Sequence, residues 1–297
     1  MWTLARWLGP WANPERAPAV VVRDDAIAGE AAPIRVRIYD GGRRWSFVIA
    51  PGLHHAGPDD PRADRFYRVL AAAGHRVIAP FIPDYLALLP GARAGRDFCA
   101  VIEVVVLSIS FGSLLALIAA AERPERVARL VVFGGYAELV PTLRFTATGE
   151  VAGARRVPRD PVNHALVAIS VLPQLEPPIG AAGVELVADA LRAFIDRACV
   201  GAARTDPALR AAIAAVLRGE LPRELRDAFD DGIGVRPGSS AQIEAAISRA
   251  TRLQLELDAL ALCPRIRCRV DIVHGIDDDT VPCEQAHALG RALRGSV

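Results

Sequence analysis

The chain has 297 residues, enough for one sizeable α/β core with an insertion. Hydrophobic residues make up 52%, which favours a folded chain over a disordered one. With 35 basic residues against 34 acidic, the net charge of +1 argues against nucleic acid as the main partner.

The N-terminal stretch MWTLARWLGPWANPERAP is not a secretory signal, because its apolar run is short and Pro10 interrupts it. Its Trp2, Trp7 and Trp11 are read as an arm docking on the domain surface, with a membrane interface as the alternative. Val20–Val22 and Ile34–Tyr39 read as early strands, and Asp40-Gly41-Gly42 as a hairpin signal before a strand at 45–50. That strand runs out into Pro51-Gly52-Leu53, followed at once by His54 and His55, which either bond substrate or simply hold the loop. A helix is expected from Pro61 to Ala73, with Pro in its first turn and Gly74 ending it, then a strand at Arg76–Ala79. Residues 92–102 give a short helical piece running almost directly into the next strand.

That strand, Val104–Leu107, is a run of branched apolar residues. It leads through Ser108-Ile109-Ser110-Phe111-Gly112 into a helix rich in Leu and Ala over 113–121. A serine flanked by small residues two places away, on a sharp strand-to-helix turn, is what a nucleophile elbow requires. The turn would lift the Ser110 hydroxyl above the sheet and aim the Phe111 N–H at a developing oxyanion. Ser108 stands where G-x-S-x-G has its first Gly. The bland alternative is a buried serine in an ordinary strand–helix join. Val101 to Ala120 is also long enough to span a bilayer, but Glu103, three serines and the elbow argue for a buried strand-turn-helix instead.

Leu130–Phe133 is the next strand, and the alternation so far implies a parallel sheet with helices on both faces. From about 136 to 262 the rhythm becomes helical, over Val184–Val200, Asp206–Arg218 and Ala241–Leu262, with no convincing strand. Val167, Ile169, Val171 and Leu172 there either line a pocket or pack the segment. Arg269–His274 reads as a strand, Asp277, Asp278 and Asp279 follow on a loop, and 283–294 reads as a helix. The three carboxylates lack the spacing of a calcium loop, so no metal is expected. No G-x-G-x-x-G or P-loop occurs, so no nucleotide cofactor is expected. Cys99, Cys199, Cys263, Cys268 and Cys283 are odd in number and irregularly spaced, and read as reduced thiols of a cytoplasmic protein.

Three segments in order resemble the α/β-hydrolase family: the 51–53 turn, the 108–112 elbow, and Gly275, Asp278, Val281 and Pro282 in register with G-x-x-D-x-x-V-P. The resemblance covers roughly residues 20–135 and 263–297. It implies an α/β-hydrolase-like, mostly parallel sheet with helices on both faces and a helical cap insertion. The implied division is an arm over 1–18, a core over 19–135 and 263–297, and a cap over 136–262. It implies Ser110 as nucleophile, Asp278 as the acid that orients the base, and the N–H groups of Leu53 and Phe111 as the oxyanion hole. Asp277 and Asp279 are the alternatives to Asp278.

The family's base is a histidine one helix and one strand beyond the acid, and the chain stops before it. None of the six histidines, His54, His55, His75, His164, His274 and His287, stands at that place. The expected activity is a serine-type, carboxylesterase-like hydrolase acting on a small-molecule ester or related acyl compound. A non-catalytic binding protein of the same fold, or an acyltransferase, are the alternatives. A sheet lacking its last strand also exposes an edge able to recruit another chain, as in a homo-oligomer.

Overall fold

The computed structural model describes residues 6–7, 13, 15–29, 32–42, 44–89, 91–102, 105–151, 155–156, 162–198, 201–254 and 259–294. Trp2, Trp11, Glu103, Val104 and Cys199 lie outside them. The chain divides into two compact units, the first Met1–Ala137, Leu257–Gly275 and Cys283–Val297, the second Glu138–Glu256 and Ile276–Pro282.

The first unit begins with β1 (Val21–Ala28), β2 (Pro33–Asp40), β3 (Ser46–Ala50), α1 (Pro61–Ala72) and β4 (Arg76–Pro80). A short α2 (Pro83–Leu86), α3 (Ala92–Val101), β5 (Val105–Ile109), α4 (Gly112–Glu122) and β6 (Arg129–Phe133) follow. The second unit holds α5 (Leu139–Thr148), β7 (Glu150–Val151), β8 (Arg155–Arg156), α6 (Val162–Val171) and α7 (Gly180–Ala198). It continues with α8 (Pro207–Glu220), α9 (Arg226–Gly232) and α10 (Ser239–Gln254). The chain then returns to the first unit with α11 (Ala259–Leu262), β9 (Arg269–Val273) and α12 (Cys283–Arg294).

The first unit is built on a seven-stranded sheet in the order β1-β2-β4-β3-β5-β6-β9. The β1–β2 and β2–β4 pairs are antiparallel, and every pair from β4 to β9 is parallel. Strand alternation gives β5 two unlike faces. Leu107 joins a buried cluster with Tyr67 and Ala71 of α1 and with Tyr39, Ile49 and Val77 of the sheet. Val106 and Ser108 point the other way, in register with Leu130 and Val132, and all four are 0% exposed. This face belongs to α4, since a Cβ added at Gly135 would meet both Val132 and Ser113. Every residue of α4 from Gly112 to Ala121 is buried, which is why it is apolar all round rather than amphipathic. The apolar run of 101–120 is thus divided among the end of α3, β5, a turn and α4. Among the described residues no helix is long and apolar enough to cross a membrane.

Several local expectations are corrected. The first strand continues to Ala28 and pairs with β2 along its whole length. Asp40-Gly41-Gly42 does not make a hairpin with β3, because β4 lies between β2 and β3. The loop instead crosses the end of α1, with Gly41 N–H on His75 O at 3.1 Å and Arg44 N–H on Gly74 O at 3.1 Å. In the second unit the two-residue strands β7 and β8 form a small antiparallel ladder. Val162–Val171 is a helix, although its β-branched residues carried no helical signal.

The described part of the arm lies against α1. Arg65 donates through Nε to Arg16 O at 2.8 Å, and through Nη2 to Trp7 O at 2.5 Å and Asn13 O at 3.3 Å. Cys99 and Cys263 are buried thiols and Cys268 and Cys283 half-buried ones. Burial, with the Glu122 carboxylate beside it, pushes the Cys99 thiol up to about 11.

Candidate active site

β5 ends at Ile109 and α4 begins at Gly112, so only Ser110 and Phe111 make the reversal. Ser110 takes φ +52°, one of two positive values among the described non-glycine residues. An L-residue adopts that region at a cost, and only where its surroundings hold it there. Here Ser110 N–H donates to Phe133 O of the neighbouring strand at 2.8 Å. Ser110 O accepts from Ser113 N–H at 3.0 Å, closing the first turn toward α4. From the other side Tyr85, fully buried, donates its hydroxyl to Phe111 O at 2.9 Å. Ser110 Oγ itself makes no hydrogen bond among the described residues.

The small residues around Ser110 have distinct reasons. A Cβ on Gly112 would sit 2.2 Å from Ala50 O and 2.5 Å from Pro51 O, so the backbone leaving β3 requires glycine there. Ser108 is buried and gives its hydroxyl to Val131 O at 3.3 Å, which is how a polar residue is tolerated at that motif position.

The loop after β3 passes close by, for a Cβ on Gly52 would lie 3.7 Å from Ser110 Cβ. Leu53 follows, and neither its N–H nor that of Phe111 is hydrogen-bonded among the described residues. Unbonded backbone donors at a helix N-terminus and an adjoining loop are the type of group that stabilises an oxyanion.

Leu53, His54 and Ser110 line one cavity of about 670 Å³, entirely within the first unit. His54 Nδ1 accepts from Ala56 N–H at 3.2 Å, and its Nε2 lies 3.4 Å from Asp60 Oδ2. The hydrogen on the ring is thereby placed at Nε2. The His55 ring stacks on His54, with centroids 4.6 Å apart.

Asp60 and Arg62, which sequence reasoning missed, also line the cavity. Asp60 caps α1 by accepting from Arg62 N–H at 2.8 Å, and takes Arg62 Nε at 3.1 Å and Nη2 at 2.7 Å. Burial works to raise its carboxyl, but the Arg62 bonds outweigh it and bring the pKa down to about 2. The signal for this cap was present: Asp60-Pro61 is an N-cap residue followed by Pro at the first helical position.

Asp278 belongs to the second unit. Its Oδ1 accepts from Thr280 N–H and Val281 N–H, both at 2.9 Å, so it also shapes its own loop. That loop is held by Thr280, whose O accepts from Thr146 Oγ1 and whose Oγ1 accepts from Asn163 Nδ2, both at 2.8 Å. Asp277 and Asp279 are exposed.

The other histidines have different settings. His164 is buried among second-unit carbonyls, with Nδ1 3.1 Å from Ala147 O and Nε2 3.0 Å from Asp231 O. His75 packs edge-on against Phe47, and burial lowers its pKa. His274 and His287 line a separate cavity between β9 and α12.

Comparison with solved structures bears on the fold. An esterase of Pyrococcus furiosus superposes with a TM-score of 0.50 at 12% identity, over 95% of this chain and 83% of that one. A 2-hydroxy-6-oxo-6-phenylhexa-2,4-dienoate hydrolase of Rhodococcus matches at 16% identity and TM-score 0.45, over 93% of this chain and 89% of that one. An acylaminoacyl peptidase of Pyrococcus horikoshii matches at 8% identity and TM-score 0.44, over 94% of this chain but 35% of that one. The chain spans about a third of the length of the dipeptidyl aminopeptidase and acylaminoacyl peptidase structures it matches. No protein-family model and no curated protein matches the sequence. The chain has the α/β-hydrolase fold: a mostly parallel seven-stranded sheet with helices, as in the esterase.

Proposed function

We propose that this protein is a serine-type hydrolase acting on carboxylic esters, with Ser110 as the nucleophile. The observation that carries the reading is Ser110 at φ +52° between β5 and α4, sharing a cavity with Leu53, while the Leu53 and Phe111 N–H groups are unbonded among the described residues. Ser110 Oγ attacks the ester carbonyl, and the carbonyl oxygen takes the negative charge between the two N–H groups. The serine proton passes to a histidine, which returns it to the departing alcohol. Water then cleaves the acyl-enzyme by the same route.

His54 is assigned as that base, since it lines the same cavity as Ser110 and Asp60 faces its Nε2. The lone pair on Nδ1 becomes available when the ring leaves Ala56 N–H. In this reading Asp60, at Nε2, takes the orienting role that the resemblance implies for Asp278. A second reading, a binding protein without turnover, is favoured by one feature: both His54 ring nitrogens already face partners.

Covalent labelling with a fluorophosphonate separates the two. The hydrolase reading expects labelling that is lost in Ser110→Ala and slowed at least a hundred-fold in His54→Ala. A folded wild-type protein that takes no label supports the binding reading. Labelling at the full rate in His54→Ala removes that residue as the base and leaves Ser110 in place.

A further inference from the structure

We propose that the cavity beside Ser110 is an alkyl-chain site, and that the acyl group it accepts is an uncharged hydrocarbon chain of medium or greater length. This rests on Ser110 being the nucleophile. The walls carry the argument. Below Ser110 the cavity is lined by Leu107 and Ile109 of β5 and by Phe133 at the end of β6. Opposite stand Ala63 and Phe66 of α1.

The polar side chains of the lining are those of Ser110, His54, Asp60, Arg62 and Tyr67. Of these, Arg62 spends Nε and Nη2 on Asp60, so its charge is met before any ligand arrives. A carboxylate-bearing acyl group would therefore meet an already neutralised pair, whereas a hydrocarbon chain meets matching walls.

The dimensions agree. Leu107 to Ile109 is two steps along β5, about 7 Å. The volume of about 670 Å³ suits a small-molecule site. The sheet face continues outward in register from Ile109 to Phe133 to Val273. Phe133 is 52% exposed and Val273 48%, while Val132, on the α4 face beside Phe133, is fully buried. An apolar strip left open next to a reactive hydroxyl is a place for an apolar ligand.

The test is the chain-length profile of kcat/KM for p-nitrophenyl esters from acetate to dodecanoate, in wild type and in Ala63→Trp, which fills the cavity from the α1 side. The expected result is a rise of about four-fold per methylene until the cavity is filled. In Ala63→Trp the long-chain gain is lost, so the slope of the profile falls toward zero. A flat profile in a protein whose Ser110 labels with a fluorophosphonate overturns the alkyl site and spares the hydrolase reading. If Ser110 does not label, the hydrolase reading fails, and fluorescence of cis-parinaric acid added to Ser110→Ala decides the cavity alone. Saturable binding that Ala63→Trp abolishes supports the site. No binding, or binding that Ala63→Trp leaves unchanged, overturns it.

Discussion

Replacing Asp60 by Asn keeps the shape of the side chain and an acceptor for the α1 cap, and removes only the charge that Arg62 and His54 face. The structure fixes the size of the effect. The carboxyl is brought from 3.8 to about 2, and the group is only 6% exposed, so little of the shift is screened away. The difference in pKa is worth about 2 kcal/mol of stability at neutral pH. The sign follows from the direction: a depressed carboxyl stabilises the fold above its unfolded pKa, and the contribution is lost as pH falls toward the folded value. About half should remain at pH 3 and almost none below pH 2. Urea unfolding of wild type and Asp60→Asn at pH 7, 4 and 3 measures this directly. Equal midpoints at pH 7, or a gap that does not narrow between pH 4 and pH 3, would refute the assignment of the low pKa to the Arg62 contacts.

Two further substitutions probe the elbow. Gly112→Ala places a methyl group against the carbonyls of Ala50 and Pro51, backbone atoms that cannot rotate away. It should cost about 3 kcal/mol or more in thermal or urea unfolding and slow Ser110 labelling with it. Tyr85→Phe removes the hydroxyl from Phe111 O at a buried position, and should cost about 1 kcal/mol. Its labelling rate should fall by more than that of a distant core substitution of equal cost, because Phe111 carries one of the two oxyanion donors.

The elbow was legible because its parts are local. A branched apolar run, a serine between small residues and an Ala-Leu helix sit within twenty consecutive positions, and β5, Ser110 and α4 fall where they were expected. Strand order was not legible at the N-terminal side. Asp40-Gly41-Gly42 carries real turn chemistry, but β4, arriving from beyond α1, takes the place beside β2. Helix α6 was not delimited within the helical 136–262 segment, because its Val and Ile residues have a weak helical preference that packing overrode. The Asp60 network was missed for a different reason. Its residues are eight or fewer apart in sequence, yet its importance comes from burial beside His54, which no spacing rule reports.

The hydrogen bond from Ser110 N–H to Phe133 O has a consequence for how the turn moves. That amide can meet solvent only when β5 and β6 part, so its protection measures the free energy of opening the middle of the sheet. The amides of Leu53 and Phe111, with no bond to break among the described residues, report how freely water enters. One strained turn therefore joins a hydrogen-bonded layer of the sheet to donors that no bond holds among the described residues. A residue held that way inherits the rigidity of the sheet while remaining open to whatever approaches from above.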